Sequence, residues 1–171
     1  SNYGNALKGL KRNEDALASY DRALALNPEI VEALNNRGVV LGDLGRHEEA
    51  LASYDRALAI NPGYVDALFN RGIALVRLSR SLEALASYDR ALQINADHAE
   101  ALFNRGLALV GLSRHQEALA SFDRALVIFP TYAEALSSRG SVLVALDRYE
   151  EALASYDRAL AVRPGYAETL F

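Results

Sequence analysis

The nine-residue segment at residues 50–58, with the sequence ALASYDRAL, recurs along the chain at a constant spacing. Further copies begin at residues 16, 84, 118 and 152, and the copy at 118 has Phe122 in place of the tyrosine. Each step is therefore 34 residues. A fixed period between about 20 and 50 residues is typical of repeat arrays, in which every copy packs against its neighbours and no single central core is needed. The period constrains the fold more strongly than the length of the chain does.

The repeats can be delimited along the whole sequence. We number each repeat from 1 to 34, with Pro62 at position 32. The chain then holds a partial repeat at 1–30, full repeats at 31–64, 65–98, 99–132 and 133–166, and the start of a further repeat at 167–171. Natural arrays finish in polar capping repeats. Because neither end carries one, we expect this single array to be part of a longer protein.

Each repeat is predicted to form two helices. In residues 65–78, Ala67, Leu68, Leu75 and Leu78 follow the spacing of an amphipathic helix, and residues 81–94 repeat that pattern. Prolines follow the second segment, as at Asn61-Pro62-Gly63, and the residue before a proline avoids the α region. The two helices of a repeat are separated by a column of turn residues, which are Gly45, Ser79, Ser113 and Asp147.

Four further columns, in two pairs, predict contacts between helices. Glycine recurs at position 8, although within a helix it is less stable than alanine by about 1 kcal/mol. Its recurrence predicts close packing of helices there, and an aromatic residue at position 24 is expected to fill the larger gaps. Arginine recurs at position 7, and an aspartate recurs at position 25. If the arginines are partly buried they need partners, and the candidates are Asp55, Asp89 and Asp123.

These residues resemble the tetratricopeptide repeat, a helix–turn–helix unit of 34 residues with the pattern Trp-x2-Leu-Gly-x2-Tyr, then Ala-x3-Phe, then Pro. In the second repeat the corresponding residues are Leu34, Arg37, Gly38, Leu41, Ala50, Tyr54 and Pro62. The resemblance covers the whole chain, with Leu in the Trp position and Arg where Leu is usual. It implies an all-α fold, a right-handed α-solenoid, with the first helices lining a concave groove and the second helices forming the outer wall.

Composition argues against several classes of function. The net charge is −4, the pI is about 5.4, and no basic stripe is present, which disfavours a nucleic-acid partner. The chain has no cysteine, and no apolar run approaches the roughly 20 residues of a membrane span. His47 and His115 occupy one position of different repeats and His98 lies in a connection, so we expect structural or surface roles for them. No catalytic constellation, metal site or cofactor site is predicted, and a cytoplasmic location is expected.

The column at position 6 is the most informative about binding. It holds asparagine, an unfavourable residue within a helix because its amide competes for backbone hydrogen bonds, and Ser138 replaces it in the fifth repeat. The column resembles the asparagine ladder of O-linked N-acetylglucosamine transferases, which binds the backbone of an extended peptide. The alternative is that duplication copied an unimportant surface residue. The predicted ladder consists of Asn2, Asn36, Asn70 and Asn104.

Apolar and acidic columns flank this ladder. The apolar residues are candidates for contacts with ligand side chains, although packing between helices explains any one of them equally well. The acidic residues lie four positions before the ladder, where they would favour basic ligands or simply complement the helix N-terminus. The apolar candidates are Phe69, Phe103, Ile73, Leu107, Val76 and Val110, and the acidic ones are Glu32, Asp66 and Glu100.

The sequence thus predicts a non-enzymatic module that binds a protein or peptide partner in its groove. The alternative is a structural scaffold that associates head to tail or through its faces. A third possibility, that the chain is itself an enzyme, has no residue constellation to support it. Some members of the resembling family bind the acidic C-terminal tails of chaperones through clustered basic residues. That function is disfavoured here, because Lys8 and Arg77 are the only basic residues expected in the groove and they lie two repeats apart.

Overall fold

The computed structural model describes the backbone of residues 2–164 and the side chains of residues 12–164. Every regular element in this part of the chain is an α-helix. The helices are α1 (Asn2–Leu26), α2 (Val31–Asp43), α3 (His47–Ile60), α4 (Val65–Arg77), α5 (Ser81–Ile94), α6 (Ala99–Gly111), α7 (His115–Ile128), α8 (Ala133–Ala145) and α9 (Tyr149–Val162).

The helices fall into two compact units that divide between Ser87 and Tyr88. The N-terminal unit contains α1 to α4 and the beginning of α5, and the C-terminal unit contains the remainder of α5 and α6 to α9. Within the units, α2 packs against α3, α6 against α7, and α8 against α9. Each full repeat contains two helices, as predicted.

The turn between the two helices of a repeat requires a left-handed backbone. Gly45 has φ = 75°, and Ser79, Ser113 and Asp147 have φ between 58° and 59°. Glycine adopts this conformation without steric cost, and short polar residues tolerate it better than most. The amide N–H of the next residue then caps the first helix, as Arg80 does by donating to the Leu75 carbonyl oxygen at 2.8 Å. The predicted separation of the helices at these four residues is confirmed.

The second helices end where the sequence predicts. Helix α3 ends at Ile60, immediately before Asn61 and Pro62. The Asn61 side-chain oxygen Oδ1 accepts a hydrogen bond from the Gly63 amide at 3.1 Å, which stabilises the turn.

The partial first repeat departs from the expected helix pair. Helix α1 runs without interruption from Asn2 to Leu26. Its position 15 holds Lys11, whereas the later repeats have glycine, serine or aspartate there. Lysine has neither the freedom of glycine nor a short polar side chain that tolerates the left-handed turn, and it favours a continuous helix. Residues 2–26 therefore form one continuous helix where a full repeat has two.

Close contact between the position-8 glycine and the aromatic ring at position 24 builds the core of three repeats, those with Gly38, Gly106 and Gly140. A Cβ atom added to Gly106 would lie 2.4 Å from Phe122 Cε1, and one added to Gly38 would lie 2.4 Å from Tyr54 Cε1. Phe122 is fully buried and Tyr54 nearly so. The predicted close approach of helices at glycine is confirmed, because no larger residue leaves space for the ring.

Neighbouring repeats are joined by the arginines of position 7. Arg71 Nε donates to Asp55 Oδ1 at 2.7 Å, and its Nη1 donates to the buried hydroxyl of Ser87 at 2.7 Å. The Ser87 hydroxyl in turn donates to the Glu83 carbonyl oxygen. The aspartate partners predicted from the sequence are confirmed, and the serine is an additional one. The same arrangement is formed by Arg37, Arg105 and Arg139.

A second column of arginines forms ion pairs with glutamates in the first turn of each second helix. In α7, Arg114 donates through Nε and Nη2 to both carboxylate oxygens of Glu117, each at 2.7 Å. This hydrogen-bonded pair holds the pKa of Glu117 below its ordinary value of 4.5. Equivalent pairs follow in α3, α5 and α9.

Candidate functional site

The predicted ladder asparagines lie on the first helices of their repeats. Asn36 on α2 is exposed, whereas Asn70 on α4 and Asn104 on α6 are half-buried. The side chain of Asn2 lies outside the part of the chain whose side chains are described. The described ladder therefore has three members, two in the N-terminal unit and one in the C-terminal unit.

A buried asparagine connects the two ladder residues of the N-terminal unit. Asn70 Nδ2 donates to Asn35 Oδ1 at 3.0 Å, and Asn35 Nδ2 donates to Asn36 Oδ1 at 3.3 Å. Asn35 is 5% exposed, so its amide is held in one orientation between the other two. Within the described part of the chain, Asn36 Nδ2 and Asn70 Oδ1 then have no hydrogen-bond partner. The sequence analysis missed Asn35, although its side chain interrupts the apolar position-5 column.

In the C-terminal unit the ladder residue is oriented differently. Asn104 Nδ2 donates to the Glu100 carbonyl oxygen of its own helix at 2.9 Å. This bond leaves the Asn104 Oδ1 atom as the acceptor that can face a ligand. Ser138, which takes the asparagine position in the fifth repeat, is half-buried on α8.

Each unit contains a pocket in the same slot between consecutive first helices. In the N-terminal unit the pocket has a volume of about 230 Å³ and lies between α2 and α4. Its wall combines the ladder residue Asn70 with two charged groups, Asp43 on α2 and Arg77 on α4. The lining residues are Val39, Gly42, Asp43, His47, Ala50, Tyr54, Asn70, Ile73, Ala74 and Arg77.

The pocket of the C-terminal unit also measures about 230 Å³ and lies between α6 and α8. Each of its lining residues occupies a repeat position that also lines the N-terminal pocket. Val110, for example, stands at the position of Gly42, and Ser141 at that of Ile73. The lining residues are Leu107, Val110, His115, Ser138, Ser141, Val142 and Ala145.

The histidines at position 17 belong to these pockets, which sequence reasoning did not foresee. His47 lines the N-terminal pocket and His115 the C-terminal one. The Nδ1 atom of His115 is buried and has no hydrogen-bond partner in the part of the chain that is described. Their shared position, 68 residues apart, was visible in the sequence. The shared position was not enough to predict the pockets, because a repeat position alone does not show on which face of the array its side chain lies. His98 has a structural role as expected, since its Nδ1 accepts from the Ala101 amide at the start of α6.

The predicted apolar residues divide between the pockets and the packing of helices. Ile73 lines the N-terminal pocket, and Leu107 and Val110 line the C-terminal one. Phe103 is instead half-buried in an aromatic cluster, with ring centroids 5.9 Å from Phe122 and 4.9 Å from Tyr132. Phe69 is half-buried, and Val76 is exposed on α4.

The acidic residues Glu32, Asp66 and Glu100 are exposed in the first turns of α2, α4 and α6. At these places their charge complements the partial positive charge of a helix N-terminus. Over the described range, no group of three or more His, Asp or Glu side chains is placed to hold a metal ion. None of the helices in that range is long and apolar enough to cross a bilayer.

Comparison with solved structures identifies proteins that share this arrangement of helices. The crystal structure of MamA superposes with a TM-score of 0.85 at 22% identity, over 91% of each chain. YrrB, a TPR protein with an unusual peptide-binding site, gives a TM-score of 0.78 at 29% identity over 95% of this chain and 84% of its own. TTC0263, a thermophilic TPR protein of Thermus thermophilus, gives 0.73 at 28% identity over 98% and 91%.

None of the curated proteins compared with the chain matches it. Models of the tetratricopeptide repeat match residues 4–65, 69–133 and 133–166, which together cover nearly the whole sequence. The predicted class, an all-α solenoid of such repeats, is confirmed. Tetratricopeptide repeat proteins generally serve as non-enzymatic modules for protein interaction. The chain belongs to the tetratricopeptide repeat family.

Proposed function

We propose that this protein binds an extended peptide segment of a partner protein along the first helices of its repeats. The observation that carries the proposal is the recurrence of one pocket in the same slot of both units, beside the position-6 residue. Each pocket is about 230 Å³, below the roughly 300–1,000 Å³ of sites for whole small molecules. That volume suits one side chain at a time, as an extended peptide would present it.

The hydrogen-bonding groups of the ladder fit a peptide backbone. The bonds through Asn35 leave a donor at Asn36 Nδ2 and an acceptor at Asn70 Oδ1. A peptide unit offers one carbonyl acceptor and one N–H donor. Asn36 can therefore donate to a ligand carbonyl, while Asn70 accepts from a ligand amide. Because Asn35 is buried and already engaged, the two amides are oriented before the ligand arrives, which lowers the entropic cost of binding.

The remaining predicted residues would supply side-chain contacts. Ile73, Leu107 and Val110 offer apolar surface within the pockets. The exposed acidic residues of the first turns would favour a ligand with basic side chains. The peptide-binding site named for YrrB supports the class of ligand, since that protein is similar over most of this chain.

The test is selection of a random displayed peptide library against two variants of the whole chain. The ladder variant carries Asn36→Ala, Asn70→Ala and Asn104→Ala. The control carries Gln93→Ala and Gln116→Ala, which remove two exposed amides from the second helices. We expect the native chain and the control to enrich the same peptides and the ladder variant to lose them, with helicity unchanged in all three.

A second measurement distinguishes backbone capture from side-chain capture. Methylation of single backbone nitrogens in an enriched peptide removes an N–H donor without changing any side chain. If Asn70 Oδ1 accepts from a ligand amide, methylation of that one peptide nitrogen should weaken binding to the native chain. The same methylation should cause no further loss of binding to the Asn70→Ala variant. Enrichment of the same peptides by the ladder variant would overturn the proposal.

End-to-end assembly of copies lacks a comparable observation. Each described repeat boundary within a unit pairs an arginine of position 7 with the aspartate of the preceding repeat. The side chains near both ends of the chain lie outside the described residues. Light scattering over a range of concentrations tests the assembly directly.

A further inference from the structure

The two pockets occupy the same slot of the repeat but differ in chemistry. The N-terminal pocket includes the carboxylate of Asp43, the guanidinium of Arg77 and the amide of Asn70. In the C-terminal pocket Ala145 takes the position of Arg77, and Ser138 takes that of Asn70. Among the described residues, no Asp, Glu, Lys or Arg lines the C-terminal pocket.

Polar groups in the C-terminal pocket offer little to a polar ligand. The Ser141 hydroxyl oxygen already lies 3.3 Å from the Ser137 carbonyl oxygen and 3.1 Å from the Tyr156 hydroxyl oxygen. His115 Nδ1 is buried and therefore out of reach of a ligand, so the Ser138 side chain supplies the remaining hydroxyl of the wall. A polar side chain placed here would lose its hydration with few replacement hydrogen bonds, which is unfavourable.

The rest of the wall is aliphatic and partly exposed. Leu107 is 40% exposed and lies beside Val110 and Ala145. Tyr54 contributes a phenol to the N-terminal pocket, whereas no tyrosine is among the described residues that line the C-terminal pocket. Covering the exposed aliphatic surface with another apolar group is favourable in proportion to the area removed from water.

We infer that the C-terminal pocket selects a single aliphatic side chain, the size of leucine, isoleucine or valine, from the bound peptide. Leu107, Val110 and Ala145 are its specificity-determining residues. The inference rests on the proposed function, because it names the side chain that an extended peptide places in this slot. The charged N-terminal pocket serves as the contrasting case within the same protein.

The experiment uses two blocked peptides of the form acetyl-Gly-Ser-X-Ser-Gly-amide, in which X is either leucine or asparagine. These two side chains have similar shapes and differ mainly in polarity. Methyl NMR signals of Leu107 and Val110 in the whole chain report occupation of the pocket during titration to millimolar peptide. We expect the leucine peptide to bind at least about tenfold more tightly, as burial of one aliphatic side chain implies.

Two variants remove the preference by different means. Leu107→Asn makes the wall polar, and Ala145→Arg places a guanidinium at the position that Arg77 has in the other pocket; both residues are exposed, so the fold should tolerate the changes. The control is Val127→Asn, which alters an aliphatic residue that is 81% exposed in the same unit but outside the pocket. We expect the control to keep the preference and both pocket variants to lose it.

The outcomes separate the inference from the function on which it rests. Equal binding of the two peptides, or a leucine preference that survives both pocket variants, would overturn the inference and leave peptide binding intact. If neither peptide shifts any signal of the first helices, both the inference and the proposed function are refuted. Shifts confined to the second helices would likewise refute both, because the ligand would then occupy the opposite helices.

Discussion

Replacement of Gly106 by alanine tests the account of the repeat core most directly. The added Cβ would lie 2.4, 2.7 and 2.8 Å from Cε1, Cζ and Cδ1 of Phe122, distances well inside van der Waals contact. The ring is fully buried and cannot move into solvent. Overpacking of this kind costs about 1–3 kcal/mol, and the large overlap points to the upper part of that range. The higher helix propensity of alanine offsets about 1 kcal/mol of this loss of stability.

The net expectation is a loss of about 2 kcal/mol in the free energy of unfolding. For a chain of this length about 1 kcal/mol corresponds to a shift of roughly 2–4 °C in Tm, so Tm should fall by about 4–8 °C. Thermal unfolding followed by circular dichroism measures the shift. Repeat arrays do not always unfold in a single step, and the comparison should therefore use variants measured by the same probe.

Gly42 provides the matched control. It also lies in a first helix, but an added Cβ would have no atom within 4 Å outside its own local backbone. Gly42→Ala should therefore raise stability by about 0.5 kcal/mol or more. The double variant Gly106→Ala with Phe122→Leu should recover part of the loss, because the smaller side chain leaves space. Stabilisation by Gly106→Ala comparable to that of Gly42→Ala would refute the packing argument.

Three further predictions concern charge and ionisation. Arg71→Ala should lower the free energy of unfolding by about 1–2 kcal/mol in a urea titration, because it removes the ion pair with Asp55 and one of the two hydrogen bonds of the buried Ser87 hydroxyl. Arg71→Lys should not restore the loss, and Arg56→Ala, which loses one 3.4 Å hydrogen bond, should change the free energy little. The pKa of Glu117 is lowered by its hydrogen bond from Arg114, so this pair stabilises the fold above pH 4.5. That contribution should disappear as pH falls through the lower folded-state pKa, and Tm measured against pH should fall less steeply in Glu117→Gln. Burial, followed by the charge of Asp43, raises the pKa of Tyr54, so stability should decrease as pH rises above 10 and Tyr54→Phe should reduce that loss in an alkaline unfolding titration.

Much of the architecture could be predicted because it depends on local patterns. The spacing of Ala67, Leu68 and Leu75 is enough to define the buried side of α4, and all three are buried. Turn residues such as Gly45 and Asn61 were equally informative, because backbone conformation near them depends mainly on the residue itself. The first repeat differs, because Lys11 does not favour the left-handed turn and α1 continues through it.

The binding face could be predicted only in part. Asn36, Asn70 and Asn104 were recognised from their period, but the period does not reveal that buried Asn35 joins the first two. Phe103 shared the periodicity of a binding column, yet its ring packs against Phe122 and Tyr132. A periodic position shows that residues are equivalent, and it does not show whether they face a ligand or a neighbouring helix.

The amino-acid sequence alone determined the repeat length and the helix boundaries in the full repeats, because both follow from residues at fixed separations along the chain. It also indicated aspartates as candidate partners of the arginines. Only the tertiary structure decided which side chains enclose the two pockets, and how differently those pockets are lined. His115, Leu107 and Ser141 come from three helices and meet only after those helices pack. Their meeting depends on the relative placement of the helices, which is a property of side-chain packing across repeats and is not encoded in any one segment.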